Sequence, residues 1–130
     1  YIISYKEDRS GDNEERCLIF LNDLLQRQLE KSERILPIFT QLHLASIVNA
    51  IYWNKDVLYT AKKQISPEDL LLSSVLPIKI SEPLSKFEEQ DLYKIMEMRC
   101  LNESGLVIVT NNTNFIKTKK IYNITFRGLV

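Results

Sequence analysis

The chain has 130 residues, 45% of them apolar, enough for one domain that buries roughly two-thirds of the surface its unfolded form exposes. Seventeen basic and seventeen acidic side chains cancel, which excludes a global field pulling the protein onto nucleic acid or an anionic membrane and leaves electrostatic binding to local patches. No apolar run approaches the roughly 20 residues that span a bilayer, and the opening "YIISYKEDRSGDNEER" lacks a signal-peptide core, so a soluble domain without membrane contact is expected, and the absent initiator Met suggests a piece of a longer protein.

In chain order, "YIISYK" is a short extended segment and "EDRSGDN" a polar break. From about Asn13 to Glu33 the pattern turns helical, with Asn13 as cap and Glu14 and Glu15 in the first turn, where the helix dipole favours acid. Leu18, Leu21, Leu25 and Leu29 form one apolar row; Cys17, Phe20 and Leu24 form a second. The stripe is wider than one contact face needs, so this helix either lies in its own core or shows a row to a partner. Pro37 marks the next break, and Thr40 to Trp53 reads as a second helix with Leu42, Leu44, Ile47, Val48, Ile51 and Tyr52 as its apolar set. A connector follows with a β-like centre at Val57 to Tyr59. Ser66 before Pro67, with acidic residues in the next turn, signals a helix start.

Pro77 and Pro83 bracket "IKISE" as a short extended connection. Ser85 then opens a long helix, in capping-box spacing with Glu88. Its expected core face is Leu92, Ile95, Met96 and Cys100, and Gly105 is the expected C-terminal stop. "LVIVT" and "IYNITF" are β-branched strands around the loop "NNTNFIKTKK". Helix, strand, loop, strand suggests a hairpin wing.

Chemistry finds few candidates. Cys17 and Cys100 stand far apart without a CxxC pair and read as buried thiols, so neither a disulfide nor a structural zinc site is expected. His43 is the single histidine, and nothing near it in sequence completes a triad or ligand set. The three glycines form no phosphate-binding loop. Glu14–Glu15 and Glu88–Glu89 point about 100° apart on a helix and cannot act as a close carboxylate pair. No catalytic, metal or cofactor residues are therefore assigned, and a non-enzyme is expected. Between Trp53 and Pro83 the chain is richer in apolar residues than a connector requires. Val57, Leu58, Tyr59, Leu71, Leu72, Val75 and Ile78 are the candidates for a dimer interface, since an exposed apolar patch usually marks association. A lid over the domain's own core is the competing explanation.

The turn Leu101, Ser104, Gly105 and Leu106 at the end of the last helix resembles the entry to the wing in the C-terminal winged helix of the origin-recognition and replication-licensing ATPase family. "LPIFTQLHLASIVNAIY" resembles the first helix of that module, and the likeness runs from Leu36 to Phe126. Within the family, the stretch from Cys17 to Asp56 resembles the heterochromatin branch that derives from a duplicated origin-recognition subunit. The resemblance implies an α+β, mainly α, winged-helix domain over residues 1–130, a helix-turn-helix variant with a C-terminal β-hairpin wing and an N-terminal helical extension at about 13–33. It also implies a non-catalytic, homodimerising module of a silencing protein. Its setting would be the nucleus, at telomeres and silent loci, supporting the spreading of silent chromatin with other silencing-complex proteins and nucleosomes. The alternative from the same family is a DNA-binding winged helix of an origin-recognition subunit. Against it, the last helix carries Lys86, Lys94 and Arg99 against Glu88, Glu89, Asp91, Glu97 and Glu103, a net of −2 that the phosphate backbone repels. Lys117, Lys119 and Lys120 leave a weak phosphate contact open; lysines at a hairpin edge also block unwanted strand pairing.

Overall fold

A computed structural model of the chain describes residues 2–4, 11–30, 35–111 and 125–126. Its elements run β1 (Ile2–Ser4), α1 (Asp12–Glu30), β2 (Phe39–Thr40), a 3₁₀ turn (Gln41–His43), α2 (Leu44–Trp53), β3 (Val57–Thr60), β4 (Lys63–Ile65), α3 (Pro67–Leu72), β5 (Val75–Ile80), α4 (Lys86–Leu101), β6 (Gly105–Thr110) and β7 (Thr125–Phe126). The domain is a small α+β assembly, with about half of the described residues helical.

Five strands form one sheet in the order β2-β5-β6-β1-β7, and every neighbouring pair is parallel. β3 and β4 make a separate antiparallel hairpin. The expected wing, with the last two strands paired antiparallel, is not what the backbone forms. β6 and β7 lie on opposite sides of β1 and run parallel to it. The hairpin expectation rested on closeness in sequence, whereas parallel neighbours come from crossover connections. β5, α4 and β6 make such a unit, with Val75 to Ile80 in register against Gly105 to Thr110.

A parallel sheet needs cover on both faces, and alternation along the strands supplies it. Leu106 and Ile108 of β6, with Leu76, Ile78 and Ile80 of β5, join Leu44, Ile47, Leu70, Leu92 and Ile95 beneath α2, α3 and α4. Val107 and Val109 point the other way and pack with Cys17, Leu21 and Leu25 of α1. Lys79 of β5 forms an ion pair with Glu14 of α1 on that side. α1 thus buries one face, drawn from both of its expected rows, and leaves Ile19 and Phe20 exposed. It begins at Asp12, one residue before the expected cap, after Gly11 at φ 73°.

Local signals set the helix starts. The Ser66 side chain accepts from the Asp69 N–H at 3.2 Å, ahead of Pro67. At α4 the Glu88 N–H donates to Ser85 Oγ (3.2 Å) and the Ser85 N–H to Glu88 Oε1 (2.9 Å), a complete capping box. Pro77 does not break the chain; it sits inside β5, opposite Val107. β2 pairs only with Ile78 and Lys79, so on that side the strand is open at Pro77, a position where proline is tolerated.

The inner face of α4 differs from expectation at its last position. Leu92 and Ile95 are buried, but the third buried residue is Arg99, 3% exposed, while Cys100 faces solvent. The guanidinium donates from Nη1 to the Leu70 carbonyl (2.9 Å), from Nη2 to that of Ser73 (2.9 Å), and from Nε and Nη2 to that of Gly105 (3.0 and 2.6 Å). It closes the C-terminal end of α3, where a cation is favoured, and ties it to the first residue of β6. Burial pushes the group down to about 10, still far above neutrality, so it is a cation in the fold. Gly105 is no helix stop either. The left-handed residue after α4 is Glu103, φ 54°, and Gly105 is needed because a Cβ there would lie 2.7 Å from the Ser74 carbonyl oxygen.

Urea unfolding of single variants checks these assignments. Arg99→Met is expected to cost about 3 kcal/mol or more by orphaning buried carbonyls. Ile95→Ala is expected to cost about 2–5 kcal/mol, against at most about 0.5 kcal/mol for Glu89→Ala. Equal small losses at all three would refute the assigned inner face.

Candidate functional site

The seven residues read as a dimer interface do not come together on the surface. Val57 and Ile78 are fully buried in the main core. Tyr59 packs against that core, and Val75 is half-buried against the α1 cluster. Leu58, Leu71 and Leu72 alone are exposed. The lid explanation therefore accounts for four of the seven, because β3 and β5 are built into the core rather than forming a loose connector. Lys117, Lys119 and Lys120 lie outside the described residues.

Tyr59 is held in an aromatic cluster. His43 stacks on it at 5.4 Å and 29°, Phe39 meets both rings edge-on, and the Tyr59 hydroxyl donates to the Ile38 carbonyl at 3.3 Å. His43 Nδ1 accepts the Thr40 N–H at 3.2 Å and lies 3.1 Å from the Thr40 hydroxyl. Those bonds give the histidine a structural task, ordering the turn into α2. Among the described residues no group of three or more His, Cys, Asp or Glu is placed to hold a metal ion.

Among the described residues, an open surface cleft lies between α2 and α4. α2 turns Leu44, Ile47, Val48 and Ala50 inward, which leaves Ala45, Asn49 and Tyr52 on its outer side, continuing the spacing of exposed Leu42 in the preceding 3₁₀ turn. The helix ends with Asn54 in the left-handed conformation, φ 53°, which asparagine tolerates. Just before it Trp53 is 71% exposed and Tyr52 52% exposed. These two rings, with Ala45, Val48 and Asn49, line a cleft of about 420 Å³ whose other wall is Asp91 and Lys94 of α4. At the start of α4, Phe87 is 77% exposed.

The cleft supplies apolar ring faces with polar tips, one amide and one charge of each sign. Such groups bind by packing and hydrogen bonding. Sequence reasoning missed it because Tyr52 was placed in the core set and Trp53 at a helix end. The outward spacing of Leu42, Ala45, Asn49 and Tyr52 was the available signal. With Arg99 buried, the charges from Lys86 to Glu103 that remain exposed or half-buried are Lys86 and Lys94 against Glu88, Glu89, Asp91, Glu97 and Glu103, two positive against five negative.

The chain matches no known protein family, no curated protein and no solved structure.

The two cysteines separate chemically. Cys17 is fully buried under α1, and burial, then the Glu14 carboxylate, push its thiol up; Cys100 is exposed. A thiol reagent at neutral pH is expected to label Cys100 within minutes and Cys17 only at the rate of unfolding. Equal labelling of both in the folded protein would contradict the docking of α1 on the sheet.

Proposed function

We propose that the chain is a non-catalytic protein-interaction module that associates with itself. The observation that supports it is the cleft between α2 and α4, where Tyr52 and Trp53 place two large aromatic side chains in solvent, with Phe87 exposed separately at the start of α4. Aromatic residues exposed together are enriched where proteins meet, and tryptophan and tyrosine lead among residues that dominate binding energy. Following the family resemblance, the proposed setting is a silencing complex on nucleosomes in the nucleus. Direct DNA binding by this domain is proposed to be weak or absent, which the acidic excess on α4 supports.

The finer proposal, a winged helix, draws support from the succession α2, α3, α4 and from the passage of α4 straight into β6. The parallel run of β6 and β7 beside β1 weighs against its wing. The interaction reading does not depend on that detail, because the cleft is built from helices alone.

Sedimentation equilibrium of the chain tests the proposal. A reversible dimer is expected, and Trp53→Ala is expected to weaken it by about tenfold or more, as loss of an interface tryptophan does, while the unfolding midpoint in urea stays nearly unchanged. A strict monomer at all concentrations, or tight sequence-selective binding of duplex DNA at physiological salt, would overturn it.

A further inference from the structure

Along α4, Phe87, Asp91, Lys94, Met98 and Leu101 recur alternately four and three residues apart, the spacing of a coiled-coil seam. This row is distinct from the buried one of Leu92, Ile95 and Arg99. Its apolar ends are open to solvent, Phe87 at 77% and Leu101 at 73%. Its middle carries one acid and one base that line the cleft beside Tyr52 and Trp53, and neither forms an ion pair with another described residue. The charges are content in water, but the apolar area of Phe87 and Leu101 is left without cover. The row is well suited to a partner with the complementary order.

We propose that the partner is a second copy of this chain, with α4 packed antiparallel to the second copy's α4 about a twofold axis crossing the helix near Leu92 and Tyr93. The proposal rests on the self-association reading and assigns it a surface and a register. In this arrangement Asp91 faces the second copy's Lys94, Lys94 faces its Asp91, and Phe87 faces its Met98. Symmetry makes every contact occur twice. Phe87 against Met98 is an apolar contact in which a thioether meets an aromatic ring, a favourable pairing.

Competing arrangements lose this match. A parallel pair would oppose Asp91 to Asp91 and Lys94 to Lys94. Sliding the antiparallel pair by one heptad sets a charge against Phe87 or Leu101 and leaves it desolvated without a counterion, so the two charges specify register as polar seam residues do in coiled coils. The charge complementarity also excludes phosphate as the natural occupant, since Asp91 would lie beside it.

Charge exchange tests the pairing by analytical ultracentrifugation of the whole chain. Asp91→Lys alone and Lys94→Asp alone each place like charges across the axis and are expected to weaken the dimer about tenfold or more. The double exchange, Asp91→Lys with Lys94→Asp, restores opposite charges and is expected to return the affinity to within about threefold of the original. Mixing the two single variants is expected to give a heterodimer, because each then supplies what the other lacks. Cooperative thermal unfolding of every variant shows that the fold is intact. A dimer indifferent to both single changes would place the contact elsewhere and sink this inference while leaving self-association standing. Single variants that weaken it without rescue by the double would refute the register. A strictly monomeric parent chain would overturn both the inference and the reading beneath it.

Discussion

The Arg99 guanidinium is the joint on which the arrangement of helices depends. It is buried with no carboxylate among the described residues paired to it, and what compensates its lost hydration is a set of backbone carbonyls, Leu70 and Ser73 at the end of α3 and Gly105 at the start of β6. Taking a cation from water costs several kcal/mol, and each charge-assisted hydrogen bond returns about 1.5–3 kcal/mol. The bonds offset the desolvation, and because they all converge on one side chain they make one geometry obligatory. α3, α4 and β6 can meet in the arrangement that satisfies all its donors and in few others. Gly105 completes the joint. Its N–H donates to the Ser74 carbonyl at 2.8 Å, and the 2.7 Å approach that a Cβ would make to the same oxygen allows no side chain where β5 and β6 begin their pairing.

With that corner set, the rest follows from sheet geometry. β6 enters beside β5 in parallel register, and alternation sends Leu106 and Ile108 to the helical side and Val107 and Val109 to α1. A strand buried on both faces reads as a continuous apolar run, as "LVIVT" does. α1 is then required as the second cover, and its contact with β5 is reinforced by Glu14 and Lys79.

What was legible in the sequence was local. Ser85 with Glu88, and Ser66 before Pro67, announce helix starts because caps are satisfied within three or four residues of the chain. The β character of Val57 to Tyr59 and of residues 106–110 is likewise a property of the side chains themselves. Strand partners were not legible, since nothing in "LVIVT" says whether its neighbour is the following strand or β1 from the far end of the chain. Hydropathy misled at the end of α4, where Cys100 looked like a core residue and Arg99 a surface one; only the position of three carbonyls from other elements reverses them. The same limit hid the cleft. Tyr52 counts as apolar by residue type, and its exposure is decided by where α4 packs. Between Trp53 and Pro83 the excess of apolar residues over what a connector requires was visible, yet Val57, Tyr59, Val75 and Ile78, four of the seven chosen positions, belong to structure that only the fold reveals.

The two ends of α4 explain why its outer face is ordered in the free protein. The capping box of Ser85 and Glu88 holds the first turn and the Arg99 clamp holds the last, so the helix is restrained at both termini by contacts that use none of Phe87, Asp91, Lys94 or Leu101. A surface already ordered in the free protein gives up less conformational freedom on association than a loop would. Burial of Arg99 also removes a positive charge from the helix surface, leaving it more acidic than its sequence implies and less compatible with a phosphate backbone. The interaction that fixes the fold thereby also sets the charge of the exposed side of α4: one arginine turned inward orders the end of the helix and, by leaving the surface, makes that surface more acidic.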